Sequence, residues 1–369
     1  MKSQPIKSKL PVNLKTATYP IYIGSDLFPE LSMLLTDHNV GRKILIITDN
    51  TVSKLYGDWI VTQLKTDGYD VSLYAFPEGE RSKDNSTVDQ IYTWMLEKKM
   101  KRDVTIIALG GGVVGDLAGF VAATFLRGVR FIQIPTTLLA QVDSSVGGKV
   151  GINHRLGKNV IGSFYHPLFV LVDPKLLKTL TRREINGGIA EIIKYSLIKD
   201  INLFAALERD YSNFYDFSDW NWIVEVIRTC CSIKTKIVEL DERENGLRRI
   251  LNFGHTVGHA LEAATDYGYF IHGEAVLYGM IAALYVSHEL NYIDDQDFER
   301  MKRLITAFQI PPIPAWINDL TLIERIDNDK KQLESGLHFV CLDGIGTAKI
   351  EIIDDRLLRS SITFLLHDS

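Results

Sequence analysis

Cysteine is scarce in this sequence. The 369 residues include three cysteines, Cys230, Cys231 and Cys341, and two of them are adjacent. An odd number without spaced pairs argues against a disulfide framework and against a cysteine-ligated metal site. We therefore expect reduced thiols in the core of a cytoplasmic protein.

Long apolar runs and an excess of basic residues are also missing. No segment approaches the ~20 apolar residues of a membrane helix, and no apolar run follows the polar first residues as in a secretory signal. The 46 acidic residues outnumber the 41 lysines and arginines. This balance argues against a nucleic-acid partner, which favours basic surfaces. It leaves room for an anionic small substrate, because a few lysines in one cleft suffice to bind it.

Strand-like and helix-like segments alternate through the first half of the chain. The β-branched runs lie at 19–23, 43–48, 71–76, 104–109, 131–134 and 169–172. This alternation predicts a mostly parallel sheet with helices on its faces. Helical spacing then dominates at 183–197, 220–240, 247–264, 274–290 and 295–308, before a hairpin at 337–342 and 348–353. We predict an atypical Rossmann-like α/β domain over residues 1–180 and a mainly α-helical domain over 181–369.

A glycine-rich turn follows the apolar run at 104–109. Gly110, Gly112 and Gly115 have the spacing of a dinucleotide-binding turn, and a helical pattern follows them. Glycines let the backbone approach a phosphate, and a helix N-terminus offers free N–H groups. The usual acidic ribose ligand ~20 residues later is missing, and Asp49, after an earlier strand, is the better candidate. The segment indicates either a nucleotide site or a tight turn without a ligand.

Glycines and lysines are combined between residues 143 and 159. Asp143, Lys149, Lys158 and Asn159 lie in this segment among small residues. Such a composition is typical of a loop that closes around an anion, with the ammonium groups as point charges. A solvated surface loop is the alternative, because most lysines are exposed.

Carboxylate and imidazole side chains recur in the helical half. Glu191 and Lys194 are three positions apart, and His255 and His259 are four apart, so each pair shares a helix face. Both groups are ligands of zinc, whose catalytic sites keep three protein ligands and one open position. The spacing alone favours His255 and His259 as paired ligands, and ordinary helix histidines are the alternative. A further histidine, His272, precedes the next helical segment.

Seven segments together resemble the 3-dehydroquinate synthases, within the broader family of sugar-phosphate cyclases. The resemblance spans about residues 19 to 352. The segments are GGGVVGDLAGF (110–120), PTTLLAQVDSSVGGKVGIN (135–153), GKNVIG (157–162), GGIAEIIK (187–194), DERE (241–244), LNFGHTVGH (251–259) and HGEAVLYGM (272–280). The resemblance implies a two-domain, cytoplasmic homodimer that uses NAD and zinc, with cobalt as the alternative metal.

The activity that the resemblance implies is that of a carbon–oxygen lyase of the shikimate pathway. Its substrate would be a small anionic sugar acid phosphate, 3-deoxy-D-arabino-heptulosonate 7-phosphate. Transient oxidation by NAD, phosphate elimination, reduction, ring opening and intramolecular aldol closure would yield 3-dehydroquinate and phosphate. Because NAD is regenerated, the net reaction is not an oxidation.

The resemblance also implies roles for individual residues. It assigns the metal to Glu191, His255 and His272, and it moves His259 to the phosphate end of the substrate. Arg127 matches an arginine that reaches across the dimer. The other catalytic or substrate positions are Asp143, Lys149, Asn159, Lys194, Lys234, Arg248, Asn252 and a terminal lysine, either Lys330 or Lys331. The cofactor positions are Asp49, Glu80, Lys83, Gly111, Gly112, Val113, Asp116, Thr136, Thr137, Leu139, Ser144, Lys149, Lys158, Thr179, Leu180 and Glu184.

Three other functions fit parts of the sequence. A sister cyclase, such as an aminodehydroquinate synthase or a 2-deoxy-scyllo-inosose synthase, would share several of the segments. A polyol dehydrogenase of the glycerol dehydrogenase type would share the architecture but would not need so many anion-binding lysines. A non-catalytic binding paralogue would not need intact metal ligands.

Overall fold

The computed structural model describes residues 8–330 and 337–367. This part of the chain forms two units. The first runs to Leu180 and also includes Phe217–Glu239, and the second comprises Thr181–Asp216 and the residues from Leu240 onward. The sequence-based domain limits, 1–180 and 181–369, place segment 217–239 in the second domain instead. These domain limits stay a prediction.

A seven-stranded sheet forms the centre of the first unit. Its strands, with the separate hairpin β7–β8, are β1 (Ser8–Asn13), β2 (Thr18–Ile23), β3 (Lys43–Asp49), β4 (Asp70–Phe76), β5 (Thr105–Gly110), β6 (Arg130–Pro135), β7 (Lys149–His154), β8 (Gly157–Phe164) and β9 (Val170–Val172). The strand order in the sheet is β1-β2-β9-β6-β5-β3-β4. Within this sheet β1 and β2 pair antiparallel, and the other described neighbours pair parallel. The mostly parallel sheet confirms the predicted fold class of this half.

Helices cover both faces of the sheet. The helices of the chain are α1 (Leu31–Asp37), α2 (Asn50–Val52), α3 (Asp58–Thr66), α4 (Asn85–Glu97), α5 (Gly112–Thr124), α6 (Arg182–Lys199), α7 (Ile201–Asp210), α8 (Asn213–Asp216), α9 (Trp220–Leu240), α10 (His255–Ala264), α11 (His272–Glu289), α12 (Asp295–Thr306), α13 (Asp319–Lys330) and α14 (Asp355–His367). Strand β3 shows why the strands have apolar runs. On one face Leu45 and Ile47 pack with α4 and α5, and on the other face Ile44 and Ile46 pack with α1 and α3. A strand covered on both faces is apolar at consecutive positions.

The strand order places a topological switch point between β3 and β5. The chain leaves β3 for the edge strand β4 and then returns to β5 on the other side of β3. Ligands of open α/β sheets bind beyond the carboxyl ends of the strands at such a point. Asp49 ends β3 and Gly110 ends β5.

The second unit is mainly helical, as predicted. Helix α11 packs against α6, α10, α12 and α14. It is therefore buried on most of its surface, which explains its nearly continuous apolar sequence. The predicted hairpin is present as β10 (Leu337–Leu342) and β11 (Ala348–Ile353). No helix within the described ranges is both long and apolar enough to span a membrane.

Two segments differ from their predictions. The helix predicted at 247–264 is divided into a 3-10 helix at Leu247–Asn252 and helix α10, because Gly254 has a left-handed φ of 78°. The loop predicted at 143–159 is largely the antiparallel hairpin of β7 and β8. Gly151 and Gly162 face each other there, and an alanine Cβ at Gly151 would lie 2.6 Å from the carbonyl oxygen of Ile161. The glycines therefore serve close backbone approach within the hairpin.

Candidate metal centre and nucleotide site

Three helices of the second unit approach one another at glycines. An alanine Cβ at Gly273 on α11 would lie 2.3 Å from the carbonyl oxygen of Gly187 on α6. An alanine Cβ at Gly279 on α11 would lie 1.8 Å from the carbonyl oxygen of Gly254, which precedes α10. Side chains never approach backbone atoms this closely, so only glycine permits the contacts. The glycines of the sequence motifs thus set the spacing of α6, α10 and α11.

These glycine contacts bring one carboxylate and two imidazoles together. Glu191 lies one turn after Gly187, His255 begins α10 and His272 begins α11. One donor atom from each lies within 4.8 Å of the others. The Nε2 atoms of His255 and His272 lie 3.7 and 3.4 Å from Oε1 of Glu191. Tetrahedral ligands at ~2.0–2.2 Å from zinc are about 3.4 Å apart, so the donor set fits a zinc-like ion.

Both histidines have their other ring nitrogen engaged. Nδ1 of His255 lies 3.1 Å from the carbonyl oxygen of Phe253, and Nδ1 of His272 lies 3.1 Å from Oε2 of Glu262. Each oxygen accepts the Nδ1 proton, so in the neutral ring Nε2 offers its lone pair to a bound ion. This arrangement is typical of metal-binding histidines.

The electrostatics of the cluster also fit a cation. The side chains of Glu191 and Lys194 are 0% and 2% exposed, and they form an ion pair. Burial, followed by the charge of Lys194, lowers the pKa of His255 to about 3, so its imidazole is neutral as a metal ligand must be. Burial lowers the pKa of His272, but hydrogen bonds to Glu191 and Glu262 outweigh it and raise the pKa to about 9. A positive charge is therefore stabilised where a bound metal would replace the proton.

His259 lies beside this cluster and is exposed. Its ring centroid is 5.3 Å from that of His255 and 5.9 Å from that of His272. A second set of donors within 4.8 Å comprises His259, Glu262 and His272. Neither set contains both His255 and His259, contrary to the pairing that the spacing alone favoured. The carboxylate that joins His255 comes from α6, 64 positions earlier in the chain.

Two further candidates of the second unit, Arg248 and Asn252, form hydrogen bonds with the acidic segment at 241–244. Arg248 is 2% exposed, and its guanidinium donates to the carbonyl oxygen of Glu242. Its backbone N–H donates to Oδ2 of Asp241 at 3.0 Å. Asn252 is exposed and donates to Oε1 of Glu244 at 2.7 Å. The carboxylates and carbonyls of this segment therefore orient both candidate side chains.

The remaining candidates of the second unit, Glu184, Lys330 and Lys331, lie at helix ends or beyond them. Glu184 is exposed and closes a capping box with Thr181 at the start of α6. Lys330 ends α13, but its side chain lies outside the described residues, as does all of Lys331.

In the first unit, the glycine turn begins α5 at the switch point of the sheet. Gly111 is the N-cap residue and Gly112 is the first residue of the helix. An alanine Cβ at Gly111 would lie 3.0 Å from Thr137 Cγ2, and one at Gly112 would lie 3.1 Å from Ser144 Oγ. Thus four of the candidate cofactor residues are close neighbours. The first N–H groups of a helix have no partner within the helix, a geometry suited to a phosphate, and a side chain at either glycine would enter that space.

Neighbouring candidates extend the same edge of the sheet. The backbone N–H of Thr136 donates to the carbonyl oxygen of Gly110 at 2.9 Å, which joins the ends of β5 and β6. Thr136 Oγ1 is buried and makes no hydrogen bond within the described ranges. Val113, in the first turn of α5, and Leu139, shortly after β6, are both half-buried. Asp49 caps α2 by accepting from the N–H of Val52 at 2.8 Å.

A buried lysine connects the glycine helix with the hairpin β7–β8. Lys83 is 4% exposed, and its ammonium donates to Asp116 on α5 and to Asn159 on β8. Burial raises the pKa of Asp116, and the Lys83 charge opposes that rise. Glu80 lies 3.9 Å from the ammonium of Lys158. Five candidates from three separate segments of the chain, 80–83, 116 and 158–159, are therefore joined by polar contacts.

The other candidates of the first unit lie on α9, on β7 and at its end near residue 180. The ammonium of Lys234 on α9 donates to Oδ1 of Asp143 at 2.8 Å and to its carbonyl oxygen at 2.9 Å. Lys149 is exposed on β7. Thr179 Oγ1 lies 3.1 Å from the hydroxyl of Tyr56, and Leu180 is half-buried at the end of the unit. The Lys234–Asp143 pair is one reason why α9 belongs to the first unit.

Arg127 follows α5 on a strained turn. Leu126 and Arg127 have φ values of 49° and 65°, in the left-handed region that non-glycine residues rarely adopt. Both side chains are exposed. The backbone therefore directs Arg127 outward at an energetic cost.

Sequence reasoning missed two residues of these clusters. Glu262 contacts His272, and Asn153 donates to Oε1 of Glu80 at 2.8 Å and accepts from the N–H of Asn159 at 2.9 Å. Glu262 follows His255 by seven positions, a spacing that places both on one helix face. This periodicity could have identified it, whereas nothing in the spacing of Asn153 indicates its role.

The fold and the donor set define a class of two-unit proteins, with a parallel α/β unit and a helical metal-binding unit. Solved structures of this class include 2-deoxy-scyllo-inosose synthase complexed with carbaglucose-6-phosphate, NAD+ and Co2+, with TM-score 0.84 and 25% identity over 96% of this chain and 99% of that chain. The 2-epi-5-epi-valiolone synthase from Streptomyces hygroscopicus, with NAD+ and Zn2+ bound, has TM-score 0.86 and 26% identity over 97% and 99%. Glycerol dehydrogenase from Schizosaccharomyces pombe, at TM-score 0.65 and 16% identity over 93% and 87%, shares the fold alone.

Sequence comparisons define the family within this class. Residues 73–187 match the family described as 3-dehydroquinate synthase N-terminal, and residues 188–332 match 3-dehydroquinate synthase C-terminal. The 3-dehydroquinate synthase of Desulforamulus reducens is 46% identical over 92% of this chain and 94% of the relative. That of Thermoanaerobacter pseudethanolicus is 46% identical over 94% and 97%. The chain belongs to the 3-dehydroquinate synthase family, as the seven sequence segments predicted.

Proposed function

We propose that this chain converts 3-deoxy-D-arabino-heptulosonate 7-phosphate to 3-dehydroquinate and phosphate, with NAD and a divalent metal as cofactors. The observation that carries the proposal is the convergence of Glu191, His255 and His272 at distances suited to one ion. The sequence match to relatives named for this activity supports it. So does the binding of NAD+ with Co2+ or Zn2+ by the two similar cyclase structures. Members of the family are carbon–oxygen lyases.

The metal centre has a defined role in this proposal. A divalent ion held by Glu191, His255 and His272 supplies Lewis-acid stabilisation of negative charge on a substrate oxygen. Lys194, ion-paired with Glu191 and 2% exposed, neutralises the carboxylate and places an ammonium beside the metal ligands. His259, exposed beside the cluster, is positioned to bind an anionic group of the substrate.

The candidate cationic residues account for an anionic substrate in a protein of net charge -5. Lys149 is exposed, and Arg248 is buried with its guanidinium oriented by the carbonyl of Glu242. Lysines supply point charges, and a guanidinium supplies a planar, bidentate partner for a carboxylate or phosphate. The substrate class, a small sugar acid phosphate, carries both groups.

An assay of the purified protein tests the proposed function. With the heptulosonate phosphate, NAD and Zn2+ or Co2+, we expect equal amounts of phosphate and 3-dehydroquinate, and no net NADH. NADH accumulation on a polyol without phosphate release would overturn the proposal in favour of a dehydrogenase. A preference for the amino analogue of the substrate would favour an aminodehydroquinate synthase. Metal and substrate binding without turnover would indicate a non-catalytic paralogue.

The glycine turn gives the first prediction. Gly112→Val should weaken NAD binding by roughly 10- to 150-fold, the range of one lost charge-assisted hydrogen bond of ~1.5–3 kcal/mol. The reason is that the added side chain fills the cradle at the start of α5, where even a Cβ would lie 3.1 Å from Ser144 Oγ. Calorimetric titration with NAD measures the change.

Gly41→Ala is the matched control for this variant. Its Cβ would meet only the carbonyl oxygen of Asp103, at an ordinary 3.4 Å. It should leave NAD affinity unchanged. Unchanged NAD affinity in a folded Gly112→Val protein would show that the turn binds no nucleotide.

We also propose that the active form is a homodimer in which Arg127 completes the phosphate site of the neighbouring copy. Hairpin β7–β8, which packs against α5, exposes Leu156 (78%), Val160 (63%), Ile161 (39%) and Phe164 (39%). Strand β8 pairs with β7, and no other described strand lies on its second edge. Exposed apolar patches and free strand edges are typical of interfaces. The strained backbone at Arg127 is consistent with a functional position.

The second prediction concerns this arginine. Arg127→Ala should raise KM for the sugar acid phosphate about tenfold or more, because a charge-assisted pair with the phosphate is lost. Metal content and unfolding temperature should not change. The control Arg102→Ala removes an exposed arginine of the same unit and should leave KM unchanged.

Complementation separates a dimer role from a role within one copy. In an equal mixture of Arg127→Ala and Lys194→Ala chains, a mixed dimer contains one site with both residues and one with neither. Random pairing therefore predicts recovery of roughly a quarter of the wild-type sites. Proven subunit exchange without recovery, or full activity of a monomer, would contradict this arrangement.

A cytoplasmic location completes the proposal. Cys230, Cys231 and Cys341 are buried thiols that form no disulfide, as is usual in reducing compartments. Fractionation of the source cells, with immunodetection of the protein, tests this location.

A further inference from the structure

Glu262 is a buried carboxylate at an unfavourable position. It lies in the last turn of α10 and is 3% exposed. The carbonyl end of a helix dipole repels a negative charge, and burial of a carboxylate is costly unless it is paired. The buried negative charge of Glu262 therefore destabilises the fold unless a cationic group pairs with it.

The partner is His272. Oε2 of Glu262 lies 3.1 Å from Nδ1 of His272, while Nε2 of the same ring lies 3.4 Å from Oε1 of Glu191. One imidazole thus connects two buried carboxylates through its two nitrogens. His255 differs, because its Nδ1 contacts the uncharged carbonyl of Phe253.

We propose that Glu262 is a positioning residue of the metal centre, which acts through His272. Its carboxylate accepts the Nδ1 proton and so fixes the tautomer and orientation of the ring. It also makes Nε2 a stronger metal ligand than a backbone carbonyl partner at Nδ1 would. This inference rests on the proposed metal site. The alternative is that Glu262 is itself a ligand, in the second set with His259 and His272. The two roles predict different metal binding by variants.

The test compares Glu262→Gln and Glu262→Ala with the wild-type protein. Zinc affinity is measured by competition with a chromophoric chelator, and the ligand field by the absorption spectrum of the cobalt-loaded protein. We expect one ion per chain in both variants and affinities lowered about 10- to 100-fold. Glutamine should be the milder change, because its carbonyl oxygen can still accept the Nδ1 proton. The cobalt spectrum should keep its band intensity, because the three ligands are unchanged.

Glu208→Gln is the matched control. It removes a carboxylate that pairs with Arg300 in the same unit and does not belong to either donor set. Zinc affinity should stay at the wild-type value. A purely structural role for Glu262 would lower the unfolding temperature of the metal-free protein without changing zinc affinity, and this would overturn the inference.

Three results overturn the inference in distinguishable ways. If Glu262→Gln abolishes metal binding, or binds cobalt with a changed spectrum, as Glu191→Gln should, Glu262 is a ligand. If the wild-type protein itself binds no zinc or cobalt, the proposed metal site fails, and the role of Glu262 fails with it. Unchanged affinity in folded variants beside a zinc-binding wild type refutes the role of Glu262 alone.

Discussion

His255→Ala is expected to lose the bound metal and to lower kcat/KM on the order of 10^3-fold or more. A Lewis acid contributes several kcal/mol to stabilisation of developing charge, and each ~1.4 kcal/mol is a factor of ten in rate. His255 is a suitable target because its pKa of about 3 keeps the imidazole neutral, and its Nε2 lies 3.7 Å from Glu191 Oε1. Elemental analysis of the dialysed protein and a phosphate-release assay measure the two effects.

His288→Ala is the control for this loss. His288 lies on α11 in the same unit, but its Nε2 contacts Asp295 at 2.7 Å rather than the metal ligands. Its removal should leave metal content and kcat/KM nearly unchanged. A His255→Ala protein that retains one ion per chain and near-normal turnover would contradict the assigned ligand set.

Much of the fold follows from local sequence patterns. The apolar runs at β3 and β5 predicted buried strands, because a strand between two helical layers is apolar on both faces. Helix α9 was predicted with its observed limits, Trp220–Leu240. Its membership of the first unit was not predicted, since it depends on contacts such as Lys234–Asp143, 91 positions apart.

The candidate site depended more strongly on long-range packing. The spacing of His255 and His259 is visible in the sequence, and it favoured these two as paired ligands. In the structure, neither donor set contains both histidines. Glu191 joins His255 only because α6, α10 and α11 meet at glycines. The family resemblance supplied this grouping, whereas helix periodicity could not.

The close contact between α10 and α11 gives the prediction with the largest effect on stability. Gly279→Ala should lower the free energy of unfolding by about 3 kcal/mol or more, at or above the upper end for overpacking. The Cβ would lie 1.8 Å from the carbonyl oxygen of Gly254 and 2.8 Å from the backbone nitrogen of Gly258, and backbone atoms cannot rotate away. The result would oppose intrinsic propensity, which favours alanine over glycine in a helix by about 1 kcal/mol.

The same variant should lose metal affinity, because α10 carries His255 and α11 carries His272. If the helices separate, the two Nε2 atoms no longer lie at the spacing that one ion requires. Denaturant unfolding of the metal-free protein and zinc competition measure the two losses separately. Gly268→Ala is the control, since its Cβ would meet no atom closer than the carbonyl oxygen of Thr265 at 3.8 Å. Wild-type stability and zinc affinity in Gly279→Ala would mean that the helices are not held at this distance, and that the glycines of the HGEAVLYGM segment do not build the metal centre.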